Sequence, residues 1–227
     1  MPASIVEEFW RTQFATEPYR GGGFALTANP TLEEDRRAML LVAADGTETA
    51  VVSPALAGVT ATDAASFRAA SAEAGARLHD PDLVHYLAAD DRIGEETGHD
   101  IRLLTSADED AFAAFEAGAS EQDLDDAYVE LDHWAVVGAF DGDELVCAAS
   151  AYPWDDTQLA DLGVLTLESH RGRGIARRVV RALAGEIIAR GYEPQYRCQV
   201  DNAASIALAR RAGFEVYGTW EPVSPDQ

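Results

Sequence analysis

The sequence predicts an α/β (α+β) protein, with a mixed β-sheet flanked by helices over residues 101–227 behind an N-terminal accessory lobe over residues 1–100. Three observations predict it. From residue 101 onward, apolar runs of strand length alternate with segments of helical periodicity, in the order β-α-α-β-β-β-α-β-α-β. A polar, glycine-containing stretch, Asp90–Asp100, separates this regular half from a less regular one. Apolar residues make up 47% and charged residues 25% of a 227-residue chain, which is enough to bury a sizeable core in one large domain or two small ones.

Residues 3–15 place Ile5, Val6, Phe9, Trp10 and Phe14 at helical spacing, and the run Arg20-Gly-Gly-Gly23 breaks that helix. Met39–Ala44 and Thr49–Ser53 flank Asp45-Gly46, a hairpin signal, because that dipeptide tolerates the positive φ of a tight turn. Asp63 is placed to cap a helix that runs to Gly75, and Leu83–Ala88 is an apolar run before the boundary. In the second half, Ile101–Thr105 reads as a strand, and Ser106 or Asp108 caps a helix over Ala107–Ala119, followed by a short helix over Glu121–Val129. Trp134–Phe140 and Leu145–Ala151 are strands joined at Asp141–Glu144, Tyr152–Asp156 is a loop, and Leu159–Leu167 is the next strand. Gly174–Arg190 has an apolar stripe and ends at Gly191, a position suited to a helix C-terminus. Tyr196–Val200 is a strand, Asp201 or Asn202 caps the helix Ala203–Ala212, Gly213 ends it, and Phe214–Trp220 is the last strand.

Charge is the unusual feature of the composition. Forty acidic residues stand against 17 basic ones, a net charge of −23, and every basic residue is Arg. Without Lys there is no Lys-dependent phosphate loop and no Schiff-base chemistry. So negative a field also opposes nucleic acid and anionic membranes as partners. It suits a halophilic, acidic protein in a high-salt cytoplasm, where salt screens self-repulsion within roughly 3 Å at 1 M; an acidic mesophilic protein is the alternative. No basic and apolar leader precedes the first helix, no apolar run approaches the length of a membrane span, and Cys147 and Cys198 form no CxxC pair. A soluble, cytoplasmic protein, monomer or homodimer, is therefore expected.

The charge is also uneven. Residues 1–170 hold 8 Arg and 34 Asp or Glu, whereas residues 171–227 hold 9 Arg and 6 Asp or Glu. Arg171, Arg173, Arg177, Arg178 and Arg181 fall within eleven residues that contain no acid. Such a cluster can solvate a helix face, but this chain uses acids for that purpose elsewhere, so an anionic ligand is the simpler reading. The cluster begins in a glycine turn, Arg171-Gly172-Arg173-Gly174-Ile175-Ala176, between a strand and a helix. Glycines there let backbone N–H groups approach an anion, the helix N-terminus adds unpaired donors, and the guanidinium groups add charge and forked hydrogen bonds. The dinucleotide fingerprint fails, since residue 177 is Arg where its third glycine belongs.

With Arg171, Gly174 and Ala176 at the signature spacing, and Asn202, Ser205 and the Gly213-Phe214 ending downstream, residues 101–227 resemble the GNAT N-acyltransferase superfamily. The resemblance implies an N-acetyltransferase that moves an acetyl or other acyl group from acetyl-CoA to an amine of a small molecule or protein, with no metal. It implies that a pantetheine arm runs along Val164, Leu165 and Thr166. The pyrophosphate would lie on Arg171, Gly172, Arg173, Gly174, Ile175 and Ala176, with Asn202 and Ser205 near the arm. Residues 1–100 do not show the motif and are read as an accessory lobe, with a degenerate relative of the same fold as one form it could take. Many members carry a Tyr seven residues after the Asn as proton donor; Ala209 stands there instead. That departure keeps open a non-catalytic acyl-CoA-binding module.

Acyl transfer to an amine needs a base for the amine and a proton for the leaving thiolate. Asp161 and Glu168 are the carboxylates nearest the anion turn, and are the candidate bases; Glu130 and Asp132 come next, and a water relay is the alternative. Tyr217 and Cys198 are placed to act as the acid, though each also reads as a packing residue. Tyr152, Trp154 and the acidic first half are expected to shape the acceptor site and favour a cationic amine. His79, Asp80, Asp82 and His85 have no distinctive ligand spacing, so no metal is expected. His170 lies beside the anion turn.

Overall fold

The computed structural model describes residues 4–15, 23–88, 100–154 and 157–224. Along the chain these form α1 (Ser4–Phe14), β1 (Gly23–Ala28), β2 (Ala38–Ala43), β3 (Thr47–Val52), α2 (Ala64–Glu73), β4 (Asp82–Leu87), β5 (Ile101–Leu103), α3 (Glu109–Ala117), α4 (Glu121–Ala127), β6 (Ala135–Asp141), β7 (Glu144–Pro153), β8 (Leu159–Thr166), α5 (Ile175–Ala189), β9 (Glu193–Gln199), α6 (Ala203–Arg211) and β10 (Phe214–Pro222). From β5 onward the order is the one the sequence predicts. Of the expected features, Arg20–Gly22, residues 90–99 and Asp155-Asp156 lie outside the described residues. No helix among the described residues is long and apolar enough to cross a membrane.

The structure divides into two compact units. The first holds Tyr86–Tyr196 and Ala204–Glu215; the second holds the chain up to His85, Arg197–Ala203 and the chain from Val216.

In the first unit β5, β6, β7 and β8 are successive antiparallel neighbours, and β9 lies parallel to β8. The β6–β7 hairpin turns at Gly142, whose φ of 64° suits a residue without Cβ. α3 buries Phe112 and Phe115 against Leu104, Leu145 and Leu165. α5 buries Val179, Val180, Leu183, Ala184 and Ile187 and packs on β6, β7 and β8; each of its larger aliphatic side chains contributes about 1.5–3 kcal/mol by leaving water. Asp108, one of the two expected positions, is the N-cap of α3, though its side chain makes no cap bond to that helix. The capping box belongs to the 3-10 turn Ser106–Asp108 before it, where the Thr105 hydroxyl accepts the Ala107 N–H while Asp108 accepts the Thr105 N–H. One local expectation needs correction. Tyr152 and Pro153, expected in a loop, continue β7, because the antiparallel ladder to β8 runs on to Pro153↔Ala160.

In the second unit the strand order is β1-β3-β2-β10, with β1 parallel to β3 and the other pairs antiparallel. β1 was not apparent in the sequence: Gly23–Ala28 is half-buried along its middle, so no alternation marks it. Asp63 caps α2 as expected, in a box with Ser66. Phe67, Leu40, Val52 and Val223 share one apolar core. Trp10 of α1 stacks on Tyr217, with ring centroids 5.8 Å apart at 18°.

Candidate functional site

β8 carries the site toward the anion turn. It pairs with β7 from Ala160 to Thr166, but among the described residues its parallel ladder with β9 covers only Leu159–Leu162. Gly163, Val164, Leu165 and Thr166 therefore continue beyond that ladder, with strand pairing from β7 alone. Leu165 is buried in the α3 core, while Val164 and Thr166 are half-buried. The Thr166 hydroxyl donates to Cys147 Sγ at 3.1 Å. Burial pushes the Cys147 thiol up to about 12.

A 3-10 turn over Glu168–His170 follows, then the glycine turn. Gly172 and Gly174 both have φ of 76°, in the left-handed region that side chains other than glycine rarely adopt. A Cβ built at either would meet nothing within 4 Å, so the backbone conformation selects glycine here and the space in front of the turn stays open. Gly174 is the N-cap of α5, a 15-residue helix, and having no side chain it makes no side-chain cap bond. The first-turn N–H groups and positive dipole end lie at Ile175 and Ala176.

The arginines divide by role. Arg171 donates from Nε to the Thr166 carbonyl at 3.0 Å and pairs with Asp123 at 2.9 Å. The Ser120 hydroxyl and Arg171 together hold the Asp123 carboxyl below its ordinary value. Arg173 donates to the Ser169 carbonyl at 3.0 Å and lies 4.0 Å from Asp141, with its side chain 57% exposed. His170 lies 3.3 Å from Asp141. Two of the five clustered arginines are engaged away from the turn: Arg178 grips Asp100 with two hydrogen bonds of 2.8 and 2.9 Å, and Arg181 donates to the Ala212 carbonyl at 3.1 Å. The linear cluster therefore overstated the charge at the turn, to which Arg171 and Arg173 themselves belong.

Of the two candidate bases, Glu168 is exposed on the 3-10 turn, and Asp161 is buried on β8. Asp161 stands in cross-strand register with Tyr152 on β7 and Gln195 on β9. Its carboxylate accepts from Tyr152 Oη at 3.4 Å and from Gln195 Nε2 at 3.3 Å. Tyr86 Oη donates in turn to Gln195 Oε1, completing a polar row. Beside it, the buried Ser150 hydroxyl lies 2.8 Å from His133 Nδ1 and accepts the Glu130 N–H at 3.3 Å. Tyr128, His133 and Tyr152 make mutual ring contacts. Sequence reasoning had named Asp161 and Tyr152 but missed Tyr86, Tyr128, His133, Ser150 and Gln195. A local signal existed at Ser150, a lone hydroxyl inside an apolar run, whereas Gln195 sits in a strand that also carries Glu193, Arg197 and Gln199.

The remaining candidates fall elsewhere. Glu130 and Asp132 are exposed, and Trp154 is buried. Asn202 belongs to the second unit and Ser205, on α6, to the first. Ala209 is fully buried. Tyr217 stacks on Trp10, and burial with Asp82 nearby pushes the Cys198 thiol up to about 11.

The acetyltransferase (GNAT) family model matches residues 102–214. Among solved structures, one of the GNAT family from Novosphingobium aromaticivorans is 23% identical at a TM-score of 0.50, over 65% of this chain and 67% of that one. An acetyltransferase from the GNAT family of Colwellia psychrerythraea is 24% identical at a TM-score of 0.50, over 65% of this chain and 57% of that one. A GCN5-related N-acetyltransferase from Kribbella flavida is 18% identical at a TM-score of 0.50, over 80% and 69%. These likenesses are of fold. Comparison with curated proteins gives no match.

Proposed function

Residues 102–214 make up an acetyltransferase (GNAT) family domain, and on that premise we propose that the chain is an N-acetyltransferase using acetyl-CoA to acetylate an amine of a small molecule or protein. The observation that carries this is the junction of β8 and α5: among the described residues a strand stretch beyond the β9 ladder leads into two left-handed glycines and a helix N-terminus capped by glycine. A thioester donor with a diphosphate fits that junction. Its pantetheine arm would pair with the backbone of Val164, Leu165 and Thr166. Its diphosphate would take the N–H groups at Gly172–Ala176 and the charges of Arg171 and Arg173. Asn202 and Ser205 are assigned to the arm.

The chemistry asked of the chain is small. The amine must lose a proton, its nitrogen then attacks the thioester carbonyl, and a C–N bond forms as the C–S bond breaks. Asp161, buried and held by two neutral donors, is the base this reading favours over the exposed Glu168. The nitrogen sheds its second proton as the amide forms, and the departing thiolate takes up one proton, directly or relayed by water, which restores the thiol.

The test is release of free thiol from acetyl-CoA with a panel of amines in high salt; amine-dependent release is expected. Gly174→Glu would place a carboxylate in the path of the diphosphate, so CoA affinity by calorimetry should fall below detection while the fold survives, destabilised by about 1–2 kcal/mol through the left-handed backbone. Unchanged affinity would count directly against the anion site. One observation favours a second reading, a module that binds acyl-CoA without turnover: Ala209 is fully buried, so α6 offers no phenol there. Tight CoA binding with no release on any amine would select it.

A further inference from the structure

Taking the transferase reading as its basis, we infer that the acceptor is a cationic amine, received against a wall of three rings (Tyr128, His133 and Tyr152) and relieved of its proton through the Tyr152 hydroxyl to Asp161. The ring centroids lie 5.1, 5.7 and 5.0 Å apart, with interplanar angles of 64°, 85° and 54°. At that spacing nothing fits between the rings; the His133 side chain is only 10% exposed, so the outer surface of the wall is Tyr128 with part of Tyr152. Tyr128 is its outermost part, 54% exposed. It also terminates α4 in the left-handed conformation, at φ 46° and ψ 51°. A bulky residue held there costs about 1–2 kcal/mol of backbone strain. The turn alone would be better served by Asn or Gly, so the ring is what the position retains.

The surroundings select the charge of the guest. No Arg or Lys occurs from residue 103 to residue 170, while Asp125, Asp126, Glu130 and Asp132, all exposed, bracket Tyr128. Aromatic faces attract cations, and carboxylates around them reinforce that preference. The wall is also fixed in place. Ser150 ties the segment 130–133 to β7 through His133 Nδ1 and the Glu130 N–H. At Gly163 the end of α4 comes so close to β8 that a Cβ would stand 1.9 Å from the Ala127 carbonyl oxygen.

At the rim of the wall, where it meets β8, Tyr152 Oη donates to Asp161 Oδ2 at 3.4 Å, a long hydrogen bond of the kind that shortens when a ligand completes a site. The ammonium passes a proton to Tyr152 Oη as the phenol passes its own to Asp161 Oδ2. The amine is left neutral with its lone pair, and the carboxyl is left neutral, held by Gln195. Attack on the acetyl thioester then proceeds as above.

The wall is tested without turnover, using tetramethylammonium chloride and its neutral isostere tert-butanol on the whole chain, followed by the ring-proton signals of Tyr and His. Tetramethylammonium is expected to shift them and tert-butanol is not. Tyr128→Asn, which tolerates the left-handed backbone but lacks the ring, should weaken the response about threefold to fivefold. An equal response to both compounds, or an unchanged response in Y128N, overturns the wall. Tyr152→Phe keeps the ring and should retain tetramethylammonium binding while lowering kcat for thiol release at saturating amine; an unchanged kcat overturns the relay. A chain that binds tetramethylammonium yet releases no thiol with any amine overturns the transferase reading and the relay with it, and leaves the wall standing.

Discussion

At Gly163 a single methyl group decides whether α4 can lie on β8, since a Cβ there would stand 1.9 Å from the Ala127 carbonyl oxygen. Gly163→Ala should therefore destabilise the protein by about 1–3 kcal/mol in denaturant unfolding, through overpacking against backbone that cannot rotate away. An unchanged midpoint would mean that α4 lifts freely. Gly174 is the opposite case, open in space but left-handed. Gly174→Ala should cost about 1 kcal/mol from backbone strain alone. At this scale the sequence was partly legible. The glycine turn could be read because its chemistry is local, and Asp161 because it lies just upstream. Gln195 and Ser150 could not, because what gives them meaning is cross-strand register, and that depends on strand pairing rather than on neighbours in the chain.

At the scale of elements, the capping box before α3 gives a pH dependence whose sign follows from Asp108. Hydrogen bonding from Arg102 and from the Thr105 N–H holds that carboxyl at about 2, below its ordinary 3.8. A depressed native value means stability fully present above the unfolded value near 4 and lost as pH falls through about 2. Because Arg102 is half-exposed, the gain is about 1 kcal/mol or less. Asp108→Asn should remove that part of the slope between pH 4 and pH 2, as read by thermal unfolding; an unaltered slope would rule the box out as its source. The order of elements from β5 to β10 was legible because periodicities of two and 3.6 alternate cleanly there. β1 was not, since its middle is evenly half-buried on both faces and shows no alternation, and the preceding glycines dominate the local signal. The five-arginine window misled in part because Arg178 and Arg181 find their partners, Asp100 and Ala212, far away in sequence.

For the whole molecule, the net charge of −23 sets the response to salt. We expect the unfolding midpoint to rise as KCl goes from 0.1 to 3 M, because screening removes repulsion among the carboxylates. A flat response would favour the ordinary acidic mesophile instead.

The pairing of β2 with β10, Met39↔Pro222 through Ala43↔Gly218, has a consequence in time. On the ribosome β2 emerges early, yet its neighbour in the second unit is synthesised only after β4 to β9 have all appeared. One edge of β2 must wait for that strand as the nascent chain lengthens. A strand made well before its partner is thus among the last to be paired on both edges, so the stretch Ala38–Ala43 is where a chaperone would be needed, and where a stalled translation product would aggregate.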